Sequence, residues 1–97
     1  MNIRDELYKK ALSKWGPDAQ VHMAVEEMGE LITALMKYPR KLNHSSLDEV
    51  IEEIVDVEIM LEQLKIIFLR DIRNEEKYYE IKEEKLKRLQ DMLEEGE

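Results

Sequence analysis

Val21-His22-Met23-Ala24-Val25-Glu26-Glu27-Met28-Gly29-Glu30-Leu31-Ile32-Thr33-Ala34-Leu35 is the stretch on which the fold turns. Val21, Ala24, Met28, Leu31 and Leu35 alternate between spacings of three and four, the period of a helix with one apolar face. Glu27 and Glu30, three apart, stand on another face, one turn above the other. Downstream, Leu47, Val50, Ile54, Val57, Leu61, Leu64 and Phe68 repeat the apolar pattern, and Glu53 and Asp56 repeat the carboxylate pair. Each pair suits one hard cation, which takes oxygen ligands.

Between the two helices lie Pro39 and the run Arg40-Lys41-Leu42-Asn43-His44-Ser45-Ser46. Ser46, with Glu49 three residues on, reads as a capping box that opens the second of them. If the two helices fold back as an antiparallel hairpin, a rise of about 1.5 Å per residue puts Glu27 and Glu30 about 12 to 16 Å above the loop, and Glu53 and Asp56 about 9 to 14 Å above it. The four carboxylates are expected at one level. Glu53 and Asp56 lie about 100° to 160° from the centre of their helix's main apolar stripe, on a strip shared with Met60 and Ile67. That places them outside the expected main core. Glu26, Glu27 and Glu30 likewise share a strip with Met23 and Ala34, which suits a partly buried patch facing another helix.

Working outward, three glycines and two prolines fall where helix boundaries are wanted. A first helix is predicted over about 2–14, with Ile3, Leu7, Ala11 and Trp15 at four-residue spacing and a stop at Gly16-Pro17. Asp18 is the expected N-cap of the second helix, over about 18–38. The third is predicted over about 47–70, and Asn74 caps a fourth, in which Ile72, Tyr79, Leu86 and Leu93 recur every seven residues until Gly96. No strand pattern, internal repeat or linker is present. The fold class expected is all-α: a single domain over 1–97, a four-helix bundle protomer assembling into a helical dimer or tetramer.

Composition narrows the function. At 43% hydrophobic and 39% charged residues the chain is neither disordered nor membrane-spanning in character. Cysteine is absent, and Met1-Asn2-Ile3-Arg4-Asp5 carries no apolar leader, so the cytoplasm is the expected compartment. A net charge of −8 argues against binding a nucleic-acid polymer, which needs a basic surface for counterion release. An acidic protein that handles polyphosphates must bring a cation to screen them.

Taken singly, most of these residues have ordinary roles. An acidic residue on a helix usually forms a solvated face, and Asp48, Glu52 and Glu58 need no further account. Glu26, Glu27, Glu30, Glu53 and Asp56 differ. No Lys or Arg is interleaved between Gln20 and Glu30, where ion pairing would normally relieve repulsion, and gathering five such charges is unfavourable without a counter-ion. His22 one turn before Glu26, Trp15 beside Gly16-Pro17, and Lys85 and Arg88 on the last helix are secondary candidates for lining a site. Packing or solvation is the ordinary role of each.

At these residues the sequence resembles the MazG-like superfamily of all-α nucleoside triphosphate pyrophosphatases, whose hallmark is Glu-Glu-x-x-Glu on one helix and Glu-x-x-Asp on the next. Glu26-Glu27-x-x-Glu30 and Glu53-x-x-Asp56 match it in type, order and spacing, within the similar context Ala24 to Leu31. The Trp15-Gly16 turn, with Gln20 ahead of the first motif, is similar to short, stand-alone members, which adds Gln20 to Trp15, His22, Lys85 and Arg88 as a candidate substrate-binding residue. The resemblance covers about Trp15 to Phe68. It implies hydrolysis of an NTP or dNTP to the monophosphate and pyrophosphate with magnesium, for which manganese substitutes. It further implies Glu27, Glu30, Glu53 and Asp56 as metal ligands, Glu26 as a further ligand or the group that orients the attacking water, and a homodimer or homotetramer whose subunits complete the site. The competing expectation is a non-catalytic acidic interaction module built on the Ile72, Tyr79, Leu86, Leu93 seam.

Overall fold

A computed structural model describes residues 3–96. Four helices follow one another: α1 (Ile3–Trp15), α2 (Pro17–Lys37), α3 (His44–Phe68) and α4 (Ile72–Glu95), with a 3-10 turn (Tyr38–Arg40) between α2 and α3. No strand occurs among the described residues, as the unbroken helical periodicity requires. The expected start of the first helix at Asn2 lies outside the described residues. The chain divides into two compact units, one up to Ile67 holding α1, α2 and nearly all of α3, the other from Phe68 onward holding α4.

In the first unit α1 and α2 are joined by Gly16 alone, at φ +88°, a conformation that glycine adopts without steric cost. Its N–H donates to the Leu12 carbonyl at 2.9 Å and its carbonyl accepts from Gln20 N at 3.2 Å, so one residue closes the first helix and opens the second. Pro17 takes the first position of α2, where its missing N–H is not needed. Asp18 is therefore not the expected N-cap; it sits inside the first turn, where its charge still complements the helix dipole. α1 turns Tyr8 inward, while the predicted stripe residues Ile3, Leu7 and Trp15 are exposed. Burial, and next the hydrogen bond to Glu62, raise the Tyr8 hydroxyl above the ordinary phenol range. Arg4 reaches the same carboxylate at 3.6 Å, which ties α1 to α3.

The α2–α3 hairpin is pinned at both ends. Near the loop Lys37 Nζ lies 3.3 Å from Glu49 Oε2. Toward the open end Gln20 Nε2 donates to Gln63 Oε1 at 2.6 Å, with both side chains buried. Moving inward from either tie, rising numbers on α2 meet falling numbers on α3, which sets Glu30 against Glu53 and Glu27 against Asp56. Asn43, not Ser46, caps α3: its Oδ1 accepts from Ser46 N at 2.9 Å. Ser46 is buried within the first turn and its hydroxyl donates to the Lys41 carbonyl, so the expected capping box does not form and Glu49 is left to Lys37.

The seam between α2 and α3 is not the widest apolar stripe. On α2 the buried residues are Gln20, Ala24 and Ala34, and on α3 Ser46, Val50, Met60 and Gln63. Leu35, Leu47, Ile54, Leu61 and Phe68 remain exposed. Glu53 and Asp56, expected outside the main core, are half-buried in this seam. The seam takes Ala24 and Val50 from the edges of the two apolar stripes and Ala34 from the carboxylate strip, and short side chains at Ala24 and Ala34 suit close packing there.

In the second unit Asp71, rather than Asn74, caps α4. Its Oδ1 accepts from Asn74 N at 2.8 Å, and Asn74 Nδ2 donates to the Phe68 carbonyl at 3.2 Å. Ile72, Tyr79, Leu86, Leu89 and Leu93 are exposed, and α4 buries no residue fully.

Candidate metal centre

Halfway along the hairpin, Glu27 and Glu30 from α2 meet Glu53 from α3. One carboxylate oxygen of each lies within 4.8 Å of the others. Helix pitch explains the first pair, which stand one turn apart on one face, and the antiparallel register explains the third. Glu27 and Glu53 are half-buried and Glu30 is exposed, so the group opens to solvent on one side. Asp56 is half-buried on the same seam, outside the group of three but near enough for its charge to bear on both Glu27 and Glu53.

The electrostatics are unfavourable as they stand. Glu27 Oε2 and Glu53 Oε2 are shielded from solvent and have no hydrogen-bond partner. Burial first, then the Glu30 charge, then that of Asp56, push both carboxyls above the usual carboxylate range. Lys37, on the same face two turns along α2, pairs with Glu49 rather than with the cluster. Shielded, unpaired oxygens among like charges are costly unless a cation collects them. A hard divalent ion with a preference for oxygen ligands fits this donor set, with Glu27, Glu30 and Glu53 holding it and Asp56 beside them.

A cleft of about 650 Å³ opens beside the cluster, lined by Glu26, Glu30, Thr33, Lys37, Glu49 and Glu53, with Gly29 and Ala34 on its floor. Glu26 is exposed on its wall, and His22 Nε2 lies 3.8 Å from Glu26 Oε1. The remaining predicted site residues are more scattered. Gln20 is committed to Gln63 inside the hairpin. Trp15 is exposed at the α1–α2 turn with Lys14 Nζ 5.3 Å from its ring centroid. Lys85 and Arg88 are exposed on α4, where Lys85 borders a groove lined by Tyr78, Ile81, Lys82, Leu86 and Leu89. Two participants escaped sequence reasoning: Lys37 and Glu49. The signal was available, since Lys37 follows Glu30 by seven residues and Glu49 precedes Glu53 by four, both multiples of a helical turn.

Comparison with protein-family models, with curated proteins and with solved structures returned no match, so the site is read from its own residues.

Proposed function

We propose that this chain is a metal-dependent nucleoside triphosphate pyrophosphohydrolase that converts a (d)NTP to the (d)NMP and pyrophosphate. The observation that carries the reading is the meeting of Glu27, Glu30 and Glu53 across two helices, with two shielded carboxylate oxygens left unpartnered. An interaction surface has no use for that arrangement. Magnesium is the cofactor this reading calls for, with manganese able to replace it, and Glu27, Glu30, Glu53 and Asp56 are its proposed ligands. Bound magnesium supplies positive charge against the triphosphate oxygens and lowers the pKa of water in its shell.

The chain's own residues do the rest. Glu26, exposed on the cleft wall, accepts a proton from the attacking water and aims its oxygen at the α-phosphorus. His22 stands one turn away on the same helix, its Nε2 3.8 Å from that carboxylate. A new P–O bond forms as the bond between the α-phosphorus and the bridging oxygen breaks, and pyrophosphate leaves with the electron pair. No covalent nucleophile is required. Turnover by a homodimer or homotetramer, in which a neighbouring subunit covers the exposed leucine stripes, completes the reading.

One observation favours a second reading. The seven-residue seam of α4 is exposed throughout, as in a helix that docks onto a partner without chemistry. Pyrophosphate release from a panel of NTPs and dNTPs with magnesium separates the two. Hydrolysis by the wild type, lost in Glu53→Gln and Asp56→Asn, is the expected result; no hydrolysis of any nucleotide moves the interaction module to first place.

A further inference from the structure

The cleft beside the carboxylate cluster is lined by Glu26, Glu30, Glu49 and Glu53 and by one cation, Lys37. Glu26, Glu30 and Glu53 line one part of it, and Lys37 stands at the end nearest the loop. Its volume of about 650 Å³ lies within the roughly 300–1,000 Å³ usual for small-molecule sites, so it accommodates a ligand larger than an ion. Helical side chains lean toward the N-terminus of their own helix. Lys37 therefore leans back along α2 toward Glu30, and Glu53 leans along α3 toward the loop, so both reach into the same space. Lys37 is about half-exposed and pairs with Glu49, whose oxygens lie 3.3 to 3.4 Å from Nζ, longer than a tight charged contact. An exposed pair of this kind is worth little and exchanges readily for a stronger anion.

We propose that Lys37 is the phosphate-binding residue of the cleft, taking the pyrophosphate end of a nucleoside triphosphate in exchange for Glu49. The assignment rests on the pyrophosphohydrolase reading and adds the orientation of the substrate, with the β- and γ-phosphates toward the loop and the nucleoside toward Glu26. A lysine suits this task, since a compact ammonium on a flexible stem meets phosphate oxygens as a point charge from several directions. The leaving group carries the larger part of the triphosphate's charge, and Lys37 is the cation that the cleft lining supplies.

Inorganic pyrophosphate with magnesium is the probe. Its binding is read twice, as a melting-temperature rise beyond that given by magnesium alone and as inhibition of hydrolysis of whichever nucleotide the wild type accepts. Lys37→Ala and Lys37→Met should each weaken pyrophosphate about tenfold to a hundredfold and raise KM for the nucleotide, leaving the magnesium-only shift in place. Lys37→Arg should restore most of the binding, and Lys41→Ala, outside the cleft lining, should match the wild type. If wild-type protein binds pyrophosphate and Lys37→Met binds it equally well, the assignment is overturned and Lys37 is only a tie across the hairpin. If the wild type shows no response to magnesium and no hydrolysis, the pyrophosphohydrolase reading fails and this assignment with it.

Discussion

Glu27 and Glu53 are the residues on which the account turns, because each keeps one carboxylate oxygen out of water with nothing to accept from. Replacing either by Gln, or Glu30 by Gln or Asp56 by Asn, preserves size while removing charge. Each change should abolish pyrophosphate release without unfolding the chain, whereas Glu52→Gln and Glu58→Gln should remain near the wild-type rate. Acidity offers an independent check. Burial and the neighbouring Glu30 charge raise both carboxyls in the folded state, so the native protein holds these protons more tightly than the unfolded chain does. Stability from this source is fully present below the unfolded carboxylate range, about 4.3, and is lost as pH rises through the raised native values. Metal-free protein should therefore melt higher at about pH 5 than at about pH 7.5, and magnesium should narrow the difference; thermal melts across that range, with chelator and with magnesium, read it.

At the scale of the element, three junctions decide where helices begin, and they use two devices: Gly16 with Pro17 at α2, and a side-chain oxygen that accepts from the N–H three residues on, that of Asn43 at α3 and of Asp71 at α4. Asn43→Ala and Asp71→Ala should each cost about 1 kcal/mol in chemical denaturation. Asp18→Ala should stay within about 0.5 kcal/mol, because Asp18 caps nothing. The helices themselves, and the common level of Glu27, Glu30, Glu53 and Asp56, were legible in the sequence because periods of three and four and a rise per residue are enough to place them. The caps were less so. Ser46 and Asn43 both offer an oxygen to the first turn of α3, and only the fold of the loop, with the Ser46 hydroxyl turned to the Lys41 carbonyl, decides between them. The seam was misjudged for a related reason. Sequence periodicity reports the widest apolar stripe, but the buried seam runs along its edge, through Ala24, and onto the carboxylate strip at Ala34, and Leu47, Ile54 and Leu61 are left exposed. The buried hydrogen bond between Gln20 and Gln63 then holds the register in which the carboxylates meet, and the exposed Lys37–Glu49 pair adds little to it.

For the whole molecule, the consequence is that each unit leaves apolar side chains uncovered: Val25, Ile32 and Met36 on α2 with Ile51 and Val55 on α3 in the first, and the Ile72 to Leu93 seam of α4 in the second. Exposed apolar helix faces of this kind mark association, and a second copy is the economical cover. Sedimentation equilibrium at micromolar concentration should give a dimer or tetramer; a species of 11.6 kDa would contradict it. Among the described residues no helix is long and apolar enough to cross a membrane.

The central claim, that the hairpin carboxylates form a divalent-cation site, is tested most directly by melting the wild type and Glu53→Gln with and without millimolar magnesium. At about 100 times its dissociation constant one ion contributes about 2.7 kcal/mol, several degrees or more in a domain of this size. The account predicts that rise for the wild type, and for Glu53→Gln a higher melting point without metal, since a shielded charge is gone, together with a lost response to magnesium. A wild-type melting curve unmoved by either magnesium or manganese would contradict it.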